Sequence, residues 1–233
     1  MKECIILAGG LGTRLRSAVP DLPKCMAPVA GKPFLAYVID YFHKQGIERF
    51  IFSLGYMHEA IEAFLQEQYP HLDIQTTIEQ EPLGTGGAIK LACSKAKEKD
   101  VLVLNGDTIF TIQLDQLATF HTSHAADCTL SLKPMQQFDR YGVVELMEDH
   151  RISDFREKQY YESGYINGGV YALNVASFLQ ETLPEKFSFE KDYLEKLYAQ
   201  RNMYGLAQDA YFIDIGIPAD YAKANQEFGT MSF

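Results

Sequence analysis

The first half of the chain alternates short runs rich in apolar and β-branched residues with longer stretches in which apolar residues recur every three or four positions. Four runs have the length of strands: 4–8, 47–54, 72–79 and 101–107. Three stretches between them have helical spacing: 33–45, 58–69 and 88–97. Because strands and helices alternate, the pattern predicts parallel strands joined by helical crossovers.

The pattern changes near residue 126, after which strand-like runs follow one another with short connections. These strands are predicted at 127–133, 141–147, 151–155, 165–173, 203–207 and 211–213. Short connections favour antiparallel pairs. Helices are predicted at 174–181, 188–200 and 219–228. We therefore expect an α/β fold with a Rossmann-like, doubly wound, mostly parallel mixed sheet and helices on both faces.

Composition narrows the class of protein. With 233 residues, 47% hydrophobic and 22% charged, the chain is typical of a globular domain. Its formal charge of −10 argues against a nucleic-acid partner, since a phosphate backbone requires a basic face. No apolar run approaches the roughly 20 residues of a membrane helix, and the first residues do not have the pattern of a signal peptide. We expect a cytoplasmic protein with no membrane partner.

The four cysteines, Cys4, Cys25, Cys93 and Cys128, are widely spaced along the chain. No C-x-x-C pair is present, which argues against a disulfide framework and against a structural zinc site. We expect buried or half-buried free thiols.

The first strand leads into a glycine-rich segment with two basic residues. Its glycines are Gly9, Gly10 and Gly12, and Arg14 and Lys24 follow. Glycines at the end of a strand let backbone N–H groups approach a phosphate, and the two cations would add charged donors. The dinucleotide fingerprint is excluded because Leu15 replaces its third glycine, and no P-loop triplet occurs. We interpret the segment as a phosphate cradle, with a plain strand-to-helix turn as the alternative.

A second glycine-rich segment, EQEPLGTGGA at 79–88, follows the third strand. Thr85 is placed to cap the next helix, and Gly86 and Gly87 would leave the first turn of that helix open to a ligand. The alternative is a turn that only changes the direction of the chain.

Asp107 ends the apolar run 101–107. The carboxyl ends of strands in an open α/β sheet form the crevice that binds ligands. Phosphoryl chemistry there uses a hard cation held by one or two carboxylates. Asp107 is therefore our first candidate for a metal ligand, and capping of the following turn is the alternative.

These segments resemble the signature of the sugar-1-phosphate nucleotidyltransferases. The matching strings are LAGG-x-GTRL with a later PK, EQEPLGTGGA, YGV at 141–143, EK at 157–158 and DIG-x-P at 214–218, where Ile217 replaces the usual threonine. The resemblance covers nearly the whole chain. It implies a GT-A-like fold and transfer of a nucleotidyl group from an NTP to a sugar 1-phosphate, with release of pyrophosphate. The sequence shows no linker, so we expect a single domain, in which 1–125 bind the nucleotide and 126–233 bind the sugar phosphate.

The resemblance implies roles for individual residues. Arg14, Lys24 and Asp107 would be catalytic, and Asp107 and Asp214 would hold Mg²⁺. The residues implied to bind the nucleotide, with Gln80 reading the base, are Leu7, Ala8, Gly9, Gly10, Gly12, Thr13, Gln80, Pro82, Gly84, Thr85 and Gly86. Those implied to bind the sugar phosphate are Tyr141, Gly142, Glu157, Lys158, Asn167 and Gly168. The alternatives are a strand start at Tyr141, a solvated Glu157–Lys158 pair and a β-bulge at Asn167–Gly169.

The strings look most like those of the D-glycero-α-D-manno-heptose 1-phosphate guanylyltransferases within this family. That implies GTP, a seven-carbon sugar and a role in the supply of lipopolysaccharide, capsule or S-layer precursors. Relatives use mannose, glucose or N-acetylmuramic acid 1-phosphate with GTP, CTP, dTTP or UTP. A nucleotide-binding oxidoreductase and a non-catalytic regulatory homologue are the alternatives from other classes. The aromatic face of the predicted helix 188–200 is either core or a contact between copies, so a homo-oligomer is possible.

Overall fold

The computed structural model describes residues 1–10, 15 and 19–231. Its strands are β1 (Glu3–Leu7), β2 (Pro28–Val29), β3 (Lys32–Pro33), β4 (Arg49–Leu54), β5 (Asp73–Ile78), β6 (Asp100–Asn105), β7 (Thr108–Phe110), β8 (Cys128–Phe138), β9 (Val143–Leu146), β10 (Ile152–Arg156), β11 (Tyr161–Asn174), β12 (Met203–Ala207) and β13 (Phe212–Asp214). Its α-helices are α1 (Phe34–Lys44), α2 (His58–Gln68), α3 (Gly84–Cys93), α4 (Leu114–Ser123), α5 (Val175–Leu179), α6 (Glu195–Leu197) and α7 (Pro218–Phe228). Lys24–Met26 form a 3₁₀ turn, and Phe189–Leu194 form a π-helical segment that leads into α6.

Within the described residues, a seven-stranded sheet has the order β12-β8-β11-β6-β1-β4-β5. The strands β6, β1, β4 and β5 are parallel, and Ile5 of β1 pairs with Val103 on one side and Ile51 on the other. β11 is antiparallel to β6 and β8, and β12 is parallel to β8. The predicted doubly wound, mostly parallel mixed sheet is confirmed.

Apolar side chains on both faces of the sheet explain why helices cover both faces. Successive side chains of a strand point to opposite faces. Ile6 of β1 therefore packs in the core beneath α1, α2, α4 and α7, whereas Ile5 packs in the core beneath α3, α5 and the π-helical segment. Both isoleucines are fully buried. Because the middle of the sheet is closed in this way, polar groups that act on a ligand are left to the strand ends.

Some helices differ from the predicted ones. α3 begins at Gly84, four residues before the predicted start, so the glycines form the first turn of the helix. The predicted helix 188–200 is π-helical over Phe189–Leu194 and α-helical only over Glu195–Leu197. α4 is absent from the predicted elements, although its Leu114, Leu117 and His121 are buried at helical spacing.

The second half adds antiparallel strands, as predicted, but β8 and β11 are longer than expected. They pair from Tyr161 opposite Phe138 to Leu173 opposite Cys128, with a register shift between Asn167 and Tyr171. β9 pairs with β10, and β13 pairs with β7, both in antiparallel fashion. In the ranges that the structure describes, every helix is too short or too polar to cross a membrane.

Candidate active site

A cavity of about 700 Å³ lies at the carboxyl ends of β1, β4, β5 and β6. This is the place where open α/β sheets bind ligands. The predicted site residues that line it are Leu7, Ala8, Gly9, Gly10, Lys24, Gln80, Pro82, Gly84, Thr85 and Asp107. The structure thus brings together both glycine-rich segments and the acidic end of β6, which are far apart in the sequence.

The ammonium group of Lys24 lies between the carboxylates of Asp107 and Asp214. Lys24 Nζ donates a hydrogen bond to Asp107 Oδ2 and lies 3.5 Å from Asp214 Oδ1. The pairing of β7 with β13 places Asp214 opposite Thr108, and the N–H of Ile215 donates to the carbonyl of Asp107 at 3.0 Å. The convergence of two acids and a lysine at the end of β6 is therefore a consequence of strand pairing.

The pKa of Asp214 is shifted by its surroundings. Burial and the neighbouring charge of Asp107 raise its pKa, and the ammonium group of Lys24 opposes the rise. The N–H of Gly216 donates to Asp214 Oδ1 at 2.7 Å. A side chain at Gly216 would approach both that oxygen and Lys24 Nζ to 2.7 Å, so the glycine keeps the contact open. Two acids forced together in this way are suited to share a cation.

The donor set suits Mg²⁺ in its usual role beside phosphates. Asp107 and Asp214 supply hard carboxylate oxygens, and Mg²⁺ is typically bound by one or two carboxylates, with substrate phosphates and water completing its shell. Among the residues that the structure describes, no group of three or more His, Cys, Asp or Glu side chains could hold a metal by itself. The site therefore fits a cation that is bound together with a nucleotide, and the ligand roles of the two acids stay a prediction.

The first glycine-rich segment lies against the end of β4. A side chain at Gly9 would come within 3.0 Å of the backbone nitrogen of Gly55, whereas a side chain at Gly10 would meet no atom of the described residues within 4 Å. Gly9 is thus required by packing, and Gly10 leaves open space beside the cavity. Gly12, Thr13 and Arg14 lie outside the described residues, so their predicted roles stay predictions.

The second glycine-rich segment has a different partner from the predicted one. Gly86 and Gly87 are buried, and a side chain at Gly86 would lie 2.1 Å from the ring of Phe187. The carbonyl of Phe187 also accepts the N–H of Gly86 at 3.0 Å. The interpretation that these glycines leave the first turn open to a ligand is wrong, because segment 185–187 covers them. Gly84 and Thr85 do line the cavity.

Thr85 does not cap α3, contrary to prediction. The residue at the N-cap position is Leu83, whose side chain makes no capping hydrogen bond. The hydroxyl of Thr85 instead donates to Glu190 Oε2 at 2.7 Å and accepts the N–H of Phe189 at 2.8 Å. Thr85 therefore binds the segment that contains Phe189 and Glu190, and sequence spacing does not predict this contact.

The predicted sugar-phosphate residues do not line this cavity in the structure. The ring centroid of Tyr141 lies 6.0 Å from that of Phe212, in the strand that ends at Asp214. A side chain at Gly142 would meet the carbonyl of Arg156 at 2.4 Å, so this glycine serves packing. Glu157 and Lys158 are exposed.

The Asn167–Gly169 stretch forms the β-bulge that was the alternative interpretation. The amide of Asn167 donates to the hydroxyl of Tyr171 at 2.9 Å, and its oxygen accepts the N–H of Gly169 at 3.0 Å. A side chain at Gly168 would meet the ring of Phe110 at 2.4 Å. The bulge is therefore held by contacts within the protein, and sugar binding by Asn167 and Gly168 stays a prediction.

Comparison with known proteins decides the family. The family model described as nucleotidyl transferase matches residues 3–230. The chain belongs to the nucleotidyl transferase family. The predicted membership among the sugar-1-phosphate nucleotidyltransferases, and with it the enzyme class, is confirmed.

Individual relatives of this nucleotidyltransferase cover almost all of it. The D-glycero-alpha-D-manno-heptose 1-phosphate guanylyltransferase of Aneurinibacillus thermoaerophilus is 55% identical over 97% of this chain and 97% of its own. The crystal structure of HddC from Yersinia pseudotuberculosis has a TM-score of 0.88 at 38% identity, covering 98% of this chain and all of that one. HddC complexed with GMP-PN has a TM-score of 0.86 at 37% identity, with the same coverage.

Sequence reasoning missed several residues that line the cavity of this nucleotidyltransferase: Tyr56, Glu79, Asn105 and Glu190. Two of them stand at detectable places, because Asn105 is the last residue of β6 and Glu79 directly follows β5. Glu190 carries no such signal. It reaches the cavity through the docking of segment 185–187 on α3, which depends on the tertiary structure.

Proposed function

We propose that the protein transfers the GMP group of GTP to D-glycero-α-D-manno-heptose 1-phosphate, forming GDP-heptose and pyrophosphate. The observation that carries the reaction class is the ammonium group of Lys24 held between Asp107 and Asp214 at the cavity. The heptose guanylyltransferase among the relatives and the GMP-PN complex of HddC support the choice of substrates. Since GTP is a cytoplasmic metabolite, we place the reaction in the cytoplasm.

The reaction needs alignment and charge neutralisation more than proton transfer. A phosphate oxygen of the sugar 1-phosphate attacks the α-phosphorus of GTP, and the bond to the oxygen that bridges the α- and β-phosphates breaks as pyrophosphate leaves. Because the nucleophile arrives ionised, the protein has no need of a general base or a covalent intermediate. Positioned cations and N–H groups then supply the rate enhancement.

Each part of the site has a place in this scheme. Lys24 contacts the α-phosphate, and the backbone at Gly9 and Gly10 faces the phosphate chain. Arg14 binds the departing pyrophosphate, as the resemblance implies. Asp107 and Asp214 would hold Mg²⁺, which supplies neutralisation of phosphate charge when bound.

Glu79 supports guanine as the base. It is half-buried and lines the cavity at the end of β5, where Oε2 accepts the N–H of Leu83 at 2.8 Å. Its Oε1 has no hydrogen-bond partner in the part of the chain that the structure describes. The unpartnered Oε1 can accept a hydrogen bond from the N1–H or the 2-amino group of guanine, which are donors. Gln80, the predicted base reader, follows on the same wall.

The experiment is an assay of pyrophosphate release with GTP, ATP, CTP, UTP and dTTP. Each nucleotide is offered with heptose, mannose, glucose and N-acetylmuramic acid 1-phosphates, with Mg²⁺ and with EDTA. We expect GTP with heptose 1-phosphate to give the highest kcat/KM, and EDTA to abolish release. A preference for another base would overturn the choice of GTP, and silence across the panel with Mg²⁺ would favour a non-catalytic homologue.

A further inference from the structure

One hydroxyl group, that of Thr85, joins the start of α3 to the segment that carries Glu190. Thr85 Oγ1 accepts the N–H of Phe189 at 2.8 Å and donates to Glu190 Oε2 at 2.7 Å. The same oxygen of Glu190 accepts the hydroxyl of Ser188 at 3.0 Å. With Oε2 held twice, Oε1 is left without a hydrogen-bond partner among the described residues, and the half-buried carboxylate lines the cavity.

The glycines of α3 set the position of this carboxylate. The ring of Phe187 occupies the space above Gly86, and the carbonyl of Glu185 occupies that above Gly87. The N–H of Phe187 donates to the carbonyl of Leu83 at 3.0 Å. Segment 185–187 is therefore held against the start of α3, and Glu190 follows this segment closely in the chain. The Glu190 side chain can still rotate, and the hydroxyl groups of Thr85 and Ser188 restrict this rotation.

The order of the strands assigns Glu190 to the half of the cavity away from the base. The cavity begins at Glu79, at the end of β5, and passes β4 and β1 to Asp107 at the end of β6. β11 is the next strand in that direction. The ring centroid of Phe189, the residue before Glu190, lies 5.1 Å from that of Tyr171 in β11, so the segment that carries Glu190 packs beside that strand. A base at β5 and phosphates at β1 and β6 leave this end for the sugar.

We propose that Thr85 is a positioning residue for the sugar: its hydroxyl orients Glu190, and Glu190 Oε1 accepts hydrogen bonds from sugar hydroxyl groups. The proposal rests on the proposed function. It gives the threonine of the second glycine-rich segment a role in the sugar subsite, although the segment itself borders the nucleotide. Carboxylates accept from hydroxyl groups strongly, so a rotated Glu190 would weaken sugar binding.

The test compares T85V, T85S, E190Q and the double variant T85V/E190Q. Valine keeps the shape of threonine and removes both hydrogen bonds, whereas serine keeps the hydroxyl. We expect T85V to raise the KM for the sugar 1-phosphate about tenfold, with the KM for GTP changed less than about twofold. T85S should restore wild-type values. The matched control is T122V, since the hydroxyl of Thr122 bonds only to the carbonyl of Ala118 on the surface of α4, within the described residues.

The double variant separates orientation from a merely structural effect. If Thr85 acts through Glu190, T85V adds little to the loss caused by E190Q, whereas independent losses would multiply. Multiplying losses, an equal rise in both KM values, or failure of T85S to rescue would overturn the proposal.

Measuring the binding of a sugar 1-phosphate tests the role of Thr85 independently of the proposed catalytic function. Calorimetric titration with mannose 1-phosphate should give about tenfold weaker binding to T85V than to the wild type. An inactive wild type would overturn the proposed function, and the titration would still decide the role of Thr85. Equal affinity of wild type and T85V would overturn that role even if the enzyme is active.

Discussion

At the scale of single residues, the chemistry depends on how Lys24 is held. Its side chain is 17% exposed and lies against Asp107 and Asp214. Lys133 has a similar exposure of 19% but pairs with Asp209 away from the cavity. Lys24 and Lys133 are thus similarly buried but have different surroundings, so Lys133 can serve as a matched control for substitution of Lys24.

Replacing Lys24 by methionine should lower kcat about 10²–10³-fold, because one preorganised charged donor to the phosphates is lost. The variant should remain folded, as judged by circular dichroism and a cooperative thermal transition. K133M is the control and should keep wild-type kcat. Normal turnover of K24M would exclude Lys24 from the reaction.

Replacing Asp214 by asparagine should stabilise the protein and inactivate it. The raised pKa of Asp214 means that the fold disfavours its ionised form, so a neutral amide of the same shape removes that penalty. Relief of a strained functional group stabilises by about 0.5–2 kcal/mol, or roughly 2–4 °C in Tm per kcal/mol at this chain length. Differential scanning fluorimetry without nucleotide would measure it. A lower Tm for D214N than for the wild type would contradict the electrostatic argument.

At the scale of elements, the glycine-rich start of α3 is recognisable in the sequence, but its glycines pack against a segment that the sequence does not indicate. Its glycines are visible in the sequence, but of Gly84, Gly86 and Gly87 only Gly84 lines the cavity. The reason for Gly86 is Phe187, a residue a hundred positions further along the chain. The glycines indicate that another group packs closely against the backbone of α3, but the sequence does not indicate which group that is.

The replacement Gly86→Ala should therefore destabilise the junction of α3 with segment 185–187. The added methyl group meets the Phe187 ring and has no room, which typically costs about 1–3 kcal/mol. Urea unfolding would measure the loss. Gly229→Ala is the control, since a side chain there meets no atom within 4 Å in the part of the chain that the structure describes. Equal stability of G86A and G229A would show that the segment adjusts without cost.

At the scale of the whole molecule, stability should depend on a histidine that the reaction does not use. His121 of α4 is 1% exposed, its Nδ1 lies 2.9 Å from the hydroxyl of Thr129, and its Nε2 lies 3.5 Å from Asp100 Oδ1. Burial lowers its pKa, and the charge of Asp100 opposes this shift. The folded protein therefore favours the neutral form of the His121 ring, which is enclosed where α4 packs against β6 and β8.

The consequence is loss of stability as the pH falls. An unfolded histidine takes up a proton near pH 6.5, while the folded one resists, so stability present above that pH decreases by up to about 1.4 kcal/mol per pH unit below it. Urea unfolding at pH 7.5 and 5.5 should show a smaller decrease for H121Q than for the wild type. H71Q, at an exposed histidine, should behave like the wild type. An unchanged pH dependence in H121Q would refute the role of His121.

The sequence by itself determined the alternation of strands and helices, the family signature and most cavity residues of the nucleotide half. Periodicity reports burial directly, and a polar residue just past a strand, such as Asp107 after β6, marks the edge of a parallel sheet. A residue that directly follows a strand is positioned by that strand, so its place in the fold can be predicted from the local sequence.

Only the tertiary structure decided which distant groups meet. The pairing of β7 with β13 brings Asp214 to Lys24, and the docking of Phe187 on Gly86 brings Glu190 to Thr85. These contacts depend on register, helix geometry and loop packing across about a hundred residues. A motif carries no information about such packing, because the same string is compatible with many partners until the chain has folded.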